Sequence, residues 1–270
     1  MRPLLQCPTD LLARVQGVLT DIDDTITTNG RLTAAAYGAM EKIRNAGMLV
    51  IPVTGRPAGW CDHIARMWPV DAVVGENGAL WFRYDDSSRQ MQRHFVADPD
   101  SRITHRKRLL SIAEHILREI PRARVAADQP YRESDLAIDY SEDVDCLVDA
   151  DVDRIAAIMR GHGMTAKVSS IHVNGWFGNH DKLTTTLDLL AKCFGVNAAR
   201  AKRTFVFVGD SPNDQPMFEY FPNSFGVANV RTFERRMSVL PTYVTRAAAG
   251  RGFAELATKL VKSRQRTGSR

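Results

Sequence analysis

Three carboxylates crowd the end of one apolar run: Asp21, Asp23 and Asp24 follow Val18-Leu19-Thr20 in the stretch Asp21-Ile22-Asp23-Asp24-Thr25. Alternate side chains of a β-strand share a face, so the spacing predicts Asp21 and Asp23 together at the strand's C-terminal tip. In open α/β sheets that tip is where ligands bind. Carboxylates so close repel one another, and a bound Mg²⁺, which takes oxygen ligands beside substrate phosphates, would offset the repulsion. One carboxylate can then act as nucleophile and the other as general acid/base. An isolated pair of this kind is more often a solvated turn or a helix cap, so three further segments carry the argument.

The second segment is Leu49-Val50-Ile51-Pro52-Val53-Thr54-Gly55-Arg56-Pro57, a buried strand running into a turn and a helix. A hydroxyl with free backbone N–H groups at a strand end suits a phosphate; the competing reading makes Thr54 an ordinary cap. The third segment, Asn179-His180-Asp181-Lys182, opens an amphipathic helix. A lysine at a helix N-terminus opposes the helix dipole, so a carboxylate or a phosphate is expected beside Lys182. The fourth, Phe205-Val206-Phe207-Val208-Gly209-Asp210-Ser211-Pro212-Asn213-Asp214, is a strongly apolar strand followed by an acidic turn. It places Asp210, and with it Asp214, where a metal site could be completed.

In this order the four segments resemble the haloacid dehalogenase-like phosphohydrolase superfamily, whose signature is DxDx(T/V), a Thr or Ser after a second strand, a Lys, and an acidic GD loop. The triplet Thr54-Gly55-Arg56 and the stretch Gly75-Glu76-Asn77-Gly78-Ala79 are similar to its type IIB, Cof-like branch, which includes sucrose-phosphate phosphatase. One departure is Asp24, where many members carry Gly. The resemblance implies that Asp21 attacks phosphorus and forms an aspartyl-phosphate, and that Asp23 protonates the leaving alcohol and then activates water. It implies Mg²⁺ held by the Asp21 carboxylate, the Asp23 backbone carbonyl and Asp210. Thr54, the Gly55 N–H and Lys182 would hold the phosphoryl oxygens, and Asn213 and Asp214 would orient Lys182 and metal-bound water.

The elements that must position these groups alternate strand and helix. Strands are expected near 16–21, 48–53, 71–75, 204–209 and 224–227, with helices near 33–46, 57–67, 179–194, 213–220 and 251–263. That pattern predicts an α/β fold: a Rossmann-like parallel-sheet core with helices on both faces. The chain between Thr54 and Lys182 is far longer than one crossover needs. By the resemblance it holds an inserted α+β cap domain, so the expected division is a core of residues 1–83 and 176–270 and a cap of residues 84–175. Cap strands are expected near 91–96, 123–127, 135–140 and 164–174.

Substrate choice should lie in the cap. Ser169, Ser170, His172 and Asn174 precede the Lys182 helix, and alternation puts Ser170, His172 and Asn174 on one face. Such groups suit sugar hydroxyls, and Trp176 could stack on a sugar ring. Arg56 and Asn77 are further candidates at the rim. The expected substrate is a small phosphorylated metabolite, a sugar phosphate above others. The alternatives are a phosphomannomutase-like phosphosugar mutase, which would need a second anion site, and a non-catalytic binding protein on the same fold.

Composition excludes other classes. The chain of 270 residues is 44% hydrophobic and 25% charged, enough to bury a core and an inserted domain. No apolar run approaches membrane-spanning length, and the N-terminus reads as a poor signal peptide. Cys7, Cys61, Cys146 and Cys193 lack CxxC spacing, which suits reduced thiols and a cytoplasmic location. The net charge of +5 is scattered, arguing against nucleic acid as partner, and it would draw in an anionic phosphoester. A basic tail, Lys259 to Arg270, reads as a frayed end. A homodimer is the one protein assembly the sequence leaves open.

Overall fold

The computed structural model describes residues 1–268. Its centre is a six-stranded, all-parallel sheet in the order Arg2–Pro3, Tyr243–Val244, Ser224–Gly226, Phe205–Gly209, Gly17–Thr20, Leu49–Pro52. Strands covered on both faces must be largely apolar, and the central ones are, with Leu49–Pro52 and Phe205–Gly209 carrying no polar side chain; only the edge strand Arg2–Pro3 is exposed. Alternation sends Val18, Val50, Val206 and Val208 to one face, under the helices Ala34–Asn45, Ala58–Met67 and Ala249–Gly268. Leu19, Ile51, Phe205 and Phe207 go to the other, under Lys182–Phe194, Ala198–Thr204 and Gln215–Tyr220. The strand order places the ends of Gly17–Thr20, Leu49–Pro52 and Phe205–Gly209 side by side, so the loops carrying Asp21, Thr54 and Asp210 meet above one edge of the sheet.

A parallel bridge between Val53 and Val74 extends the sheet into a three-stranded antiparallel unit, Val73–Gly75, Leu80–Asp85 and Gln90–Phe95. The division expected at residue 84 cuts this unit. Phe82 belongs to the first core cluster, and Met91 and Phe95 pack against it, so the strand near 91–96 belongs with the parallel sheet. The inserted part proper has its own sheet, Thr165–Val168, His172–Trp176, Asp135–Asp139 and Arg124–Val125, all antiparallel. The helices Pro99–Glu119 and Asp149–Gly161 bury Ile112, Ile116, Ile155 and Met159 against Leu136, Ile138 and Val173 of that sheet. This cluster is separate from the two around the parallel sheet, as an independently packed α+β layer requires.

Two local expectations change. The strand expected over 164–174 is two strands joined by a turn at Ser169, whose Oγ accepts from the N–H groups of Ile171 and His172. Ser170 therefore lies in the turn, off the face that His172 and Asn174 share. The basic tail is not frayed up to Arg264: Lys259 Nζ donates to the carbonyls of Leu4, Leu5 and Cys7, and Arg264 Nη1 to that of Val15. The last two residues of that tail, Ser269 and Arg270, lie outside the described residues.

The Lys182 helix is held in place by a capping box, in which Thr184 N–H donates to Asp181 Oδ1 at 2.7 Å and Asp181 N–H to Thr184 Oγ1 at 3.2 Å. Its first turn also presses on Gly78, where φ is +102° and an added Cβ would stand 2.0 Å from the carbonyl oxygen of Asp181. A Gly78→Ala change is thus expected to cost about 2–4 kcal/mol, from backbone strain and a clash with main chain that cannot rotate away. Urea unfolding of the variant beside the wild type measures it; a loss below about 0.5 kcal/mol would mean the helix start can shift freely.

Candidate active site

The strand Gly17–Thr20 delivers Asp21 directly: its N–H still bonds Val208 O at 2.9 Å, and the side chain is buried just past the sheet edge. The strand stops there. Residues 23–26 form a turn, with Ile26 N–H bonded to Ile22 O at 2.9 Å, so Asp21 and Asp23 do not share a strand face. Each is held by its own cation. Lys182 Nζ lies 2.7 Å from Asp21 Oδ1 and 2.7 Å from Asp214 Oδ1, while both oxygens of Asp23 accept from Arg56, whose Nη2 reaches one of them at 2.7 Å. Asp24 stands at φ +53°, a left-handed position that Asp tolerates better than most residues but Gly occupies without strain. This accounts for the glycine common at that place in the resembling family.

The charges around Asp21 do not balance. Burial works against the Lys182 ammonium, but Asp21 and Asp214 outweigh it and hold it protonated. Burial, together with the charges of Asp214 and Asp23, raises the Asp21 carboxyl against the pull of Lys182. Burial and then Asp21 and Asp214 push the Asp210 carboxyl far above its ordinary range. Oxygens of Asp21, Asp210 and Asp214 lie within 4.8 Å of one another. Both Asp214 oxygens are engaged, one by Lys182 and the other by the N–H of Asp210 at 3.0 Å. Among the described residues Asp210 is held by neutral donors, Thr25 Oγ1 at 3.2 Å and Asn229 Nδ2 at 3.1 Å. An all-oxygen set with excess negative charge fits a hard divalent cation, with Asp21, which has one oxygen on Lys182, and Asp210, which faces no cation, as the carboxylates to hold it.

The second strand ends in a clasped loop. Thr54, fully buried, accepts the Arg56 N–H at 3.0 Å with its Oγ1, which leaves its own proton to donate. The Thr54 carbonyl accepts from Asn77 N–H at 3.0 Å, and the Gly55 carbonyl from Arg132 Nη1 at 2.8 Å. A Cβ at Gly55 would sit 3.2 Å from Asn77 Nδ2, tighter than ordinary contact, so Asn77 would have to give way by a few tenths of an ångström. Asn77 is buried at φ +53°, with neither side-chain polar atom bonded, beside Lys182 and Asn213 on one cavity wall. Asn213 Oδ1 accepts from Ser211 Oγ at 2.9 Å.

The remaining candidates bond mostly to the protein. Ser169 closes its own turn. Asn174 Nδ2 donates to Asp135 Oδ2 at 3.2 Å, and His172 Nε2 lies 2.9 Å from Glu142 Oε2. Trp176 is buried with its Nε1 on the His180 carbonyl, so it has no face for a sugar. Ser170 and Arg56 line a cavity of about 600 Å³ between the two layers, with Asp23, Asp24 and Glu142. Residues not singled out by sequence complete the site. Asn229, just past the strand Ser224–Gly226, bonds both Asp210 and the Asp24 carbonyl, and the strand-end rule that finds Asp21 would find it too. Glu76 accepts from the N–H groups of Ala58, Glu133 and Ser134, tying the start of a core helix to the inserted layer. Asp128 and Arg132 pair locally with each other, and Arg132 with Asp135, but their bonds to Arg56 and the Gly55 carbonyl, like that of Glu142 to Arg56, reach far along the chain and leave no local signature.

Several known proteins are similar to this chain. A family model described as haloacid dehalogenase-like hydrolase matches residues 18–101. The phosphoglycolate phosphatase of Methanosarcina mazei is 27% identical over 253 residues, 90% of this chain and 95% of the relative. Among solved structures, the C-terminal domain of C. albicans trehalose-6-phosphate phosphatase superposes with a TM-score of 0.69 at 12% identity, over 97% of this chain and 98% of that one. The sucrose-phosphatase of Synechocystis sp. PCC6803, in complex with sucrose and phosphate, gives 0.62 at 15%, over 91% and 98%. At such identities these two establish the fold.

His180 precedes Lys182 by two residues, stacked on Trp176, and burial lowers its pKa to about 4. The folded protein then binds fewer protons than the unfolded chain between pH 6.5 and 4. The contribution of this neutral histidine is complete above 6.5 and is lost as pH falls through 4, by at most about 3 kcal/mol. Chemical denaturation across that range should show the wild type losing stability more steeply than His180→Phe. Parallel curves would mean that His180 takes up its proton inside the fold.

Proposed function

We propose that this chain, a haloacid dehalogenase-like phosphatase in fold, motifs and matched family model, is a Mg²⁺-dependent phosphomonoesterase working through Asp21. The observation that carries this reading is the buried arrangement of Asp21, Lys182 and Asp214 at 2.7 Å separations, with Asp210 alongside. Mg²⁺ on Asp21 and Asp210 would supply the positive charge that lets an anionic nucleophile approach an anionic phosphate. Lys182 and the Thr54 hydroxyl border the place where the phosphoryl oxygens must sit and offer donors fixed before the substrate arrives. An Asp21 oxygen bonds to phosphorus as the bond from phosphorus to the ester oxygen breaks, and Asp23 gives that oxygen a proton. Asp23 then takes a proton from water, whose oxygen attacks the aspartyl-phosphate and frees Asp21 and inorganic phosphate. Arg56, on both Asp23 oxygens, fixes the direction of that proton transfer.

The substrate in this reading is a small phosphorylated metabolite. A sugar phosphate finds support in the names of the structural neighbours, sucrose-phosphatase and trehalose-6-phosphate phosphatase. The sequence relatives are phosphoglycolate phosphatases. The internal bonding of Ser169, Asn174 and Trp176 leaves few donors for sugar hydroxyls and favours the smaller, acidic ester.

Asp21→Asn should abolish Mg²⁺-dependent phosphate release from 2-phosphoglycolate while the protein stays folded. Activity within about tenfold of wild type, under 1.4 kcal/mol in the barrier, would refute Asp21 as nucleophile. With Asp23→Asn, phosphoenzyme should accumulate on rapid acid quench, because its hydrolysis lacks the base. Unchanged turnover without accumulation would remove Asp23 from that role.

A further inference from the structure

Arg56 carries more carboxylate than its single charge can balance. Its guanidinium is almost wholly buried between the two layers. One edge, Nε and Nη2, lies on Asp23. The other edge, Nη1 and Nη2, holds Glu142 as a fork, at 3.2 and 2.5 Å. Asp128 touches Nη1 at 3.3 Å, but its two oxygens are already taken by Arg132 at 2.9 and 3.0 Å. Glu142 is thus a carboxylate in bidentate register on an arginine whose opposite edge steadies the residue that protonates the leaving oxygen.

Glu142 differs from the other two in what holds it. Its main chain is pinned, because Asp139 accepts the N–H groups of Ser141, Glu142 and Asp143 at 2.8–2.9 Å. Its side chain lines the 600 Å³ cavity and is a quarter exposed, so rotation about its own bonds can free the Arg56 edge without moving the fold. Burial would raise its pKa, but bonds from His172 and Arg56 hold it down at about 2, so it stays a full anion while it sits there.

We propose that Arg56 is the receptor for a carboxylate carried by the substrate's leaving group, and that Glu142 occupies this place as an internal stand-in which such a substrate displaces. The inference rests on the phosphatase reading above and names its substrate class: the phosphate ester of a short 2-hydroxy acid. With the ester oxygen at Asp23, a carboxylate on the adjoining carbon falls against the Nη1–Nη2 edge of the same guanidinium. The position also faces His172 Nε2, which lies against Glu142. An ester without the carboxylate leaves Arg56 on Glu142 and must bind without that pair. Arg56 is by this account a specificity residue, and Glu142 is the competitor that a carboxylate-bearing substrate must displace from it.

The test compares 2-phosphoglycolate with 2-hydroxyethyl phosphate, which has the same chain length and no acid, in wild type, Arg56→Gln and Glu142→Gln. The wild type should favour the acid by at least about thirtyfold in kcat/KM. Arg56→Gln should bring that ratio to within about threefold of unity, whatever happens to the absolute rates. Glu142→Gln should increase it at least about threefold through a lower KM for the acid. A ratio unmoved by Arg56→Gln, or a Glu142→Gln effect equal for both esters, would overturn the proposal and leave Glu142 as a strut between layers. p-Nitrophenyl phosphate separates the two readings: if it is hydrolysed and the acid is not preferred, this inference alone fails. If no ester is hydrolysed, the phosphatase reading fails. Thermal stabilisation by glycolate then decides the receptor: a shift lost in Arg56→Gln and enlarged in Glu142→Gln upholds it, and no shift in wild type ends it.

Discussion

A lysine ammonium sealed from water between two carboxylates is the constraint around which the rest of this molecule is arranged. An unpaired buried charge costs several kcal/mol, so Lys182, Asp21 and Asp214 can be buried only together. Each comes from a different strand end or helix start, and the three meet only if the parallel strands stand in the observed order. Asp214 can reach Lys182 because Gly209 has no side chain, since a Cβ there would lie 2.2 Å from Asp214 Oδ2. The Lys182 helix can start where it does because Gly78 lets its first turn come down onto the core. Even so the neutralisation is incomplete, and the leftover negative charge at Asp210 is what makes the cluster a place for a divalent cation.

The second polar concentration lies in the seam between the layers. Arg56 and Arg132 are both buried there, facing Asp23, Asp128, Asp135 and Glu142. Such pairs rarely stabilise a fold more than apolar packing would, because desolvation offsets the attraction. Their effect is geometric. Arg132 bonds the Gly55 carbonyl, Glu76 gathers three N–H groups from both layers, and Arg56 links Asp23 to two residues of the inserted layer. The inserted layer therefore fixes where Asp23 and the Gly55 loop stand, while Asp21, Lys182 and Asp214 are held at the sheet edge.

Trehalose-6-phosphate phosphatase and sucrose-phosphatase share the fold with this chain at 12% and 15% identity. The phosphoglycolate phosphatases match along nearly the whole length at 27%. In this chain Ser169, Asn174 and Trp176 bond to other groups of the protein, whereas the seam holds a carboxylate on an arginine.

What the sequence determined by itself is everything that depends on neighbours along the chain. Continuous apolar runs identified the parallel strands around Asp21, Thr54 and Asp210, and the misplaced charge of Lys182 at a helix start foretold its carboxylate partners. The long interval before Lys182 announced an inserted layer. Local pattern failed where two readings share a pattern. The 91–96 strand pairs with Leu80–Asp85 by a hairpin and buries Met91 and Phe95 with the core, which apolar spacing does not reveal. Residues 164–174 look like one strand until the Ser169 hydroxyl closes a turn in their middle. Asp21 and Asp23 look like neighbours on a strand face until the chain turns after Thr20 and gives them different cations. Only the tertiary structure decided that Arg56 should face Asp128 and Glu142, and that Asn229 should support Asp210. Those contacts join residues 19 to 86 positions apart, and their energy depends on burial and direction, neither of which is written in the order of the residues.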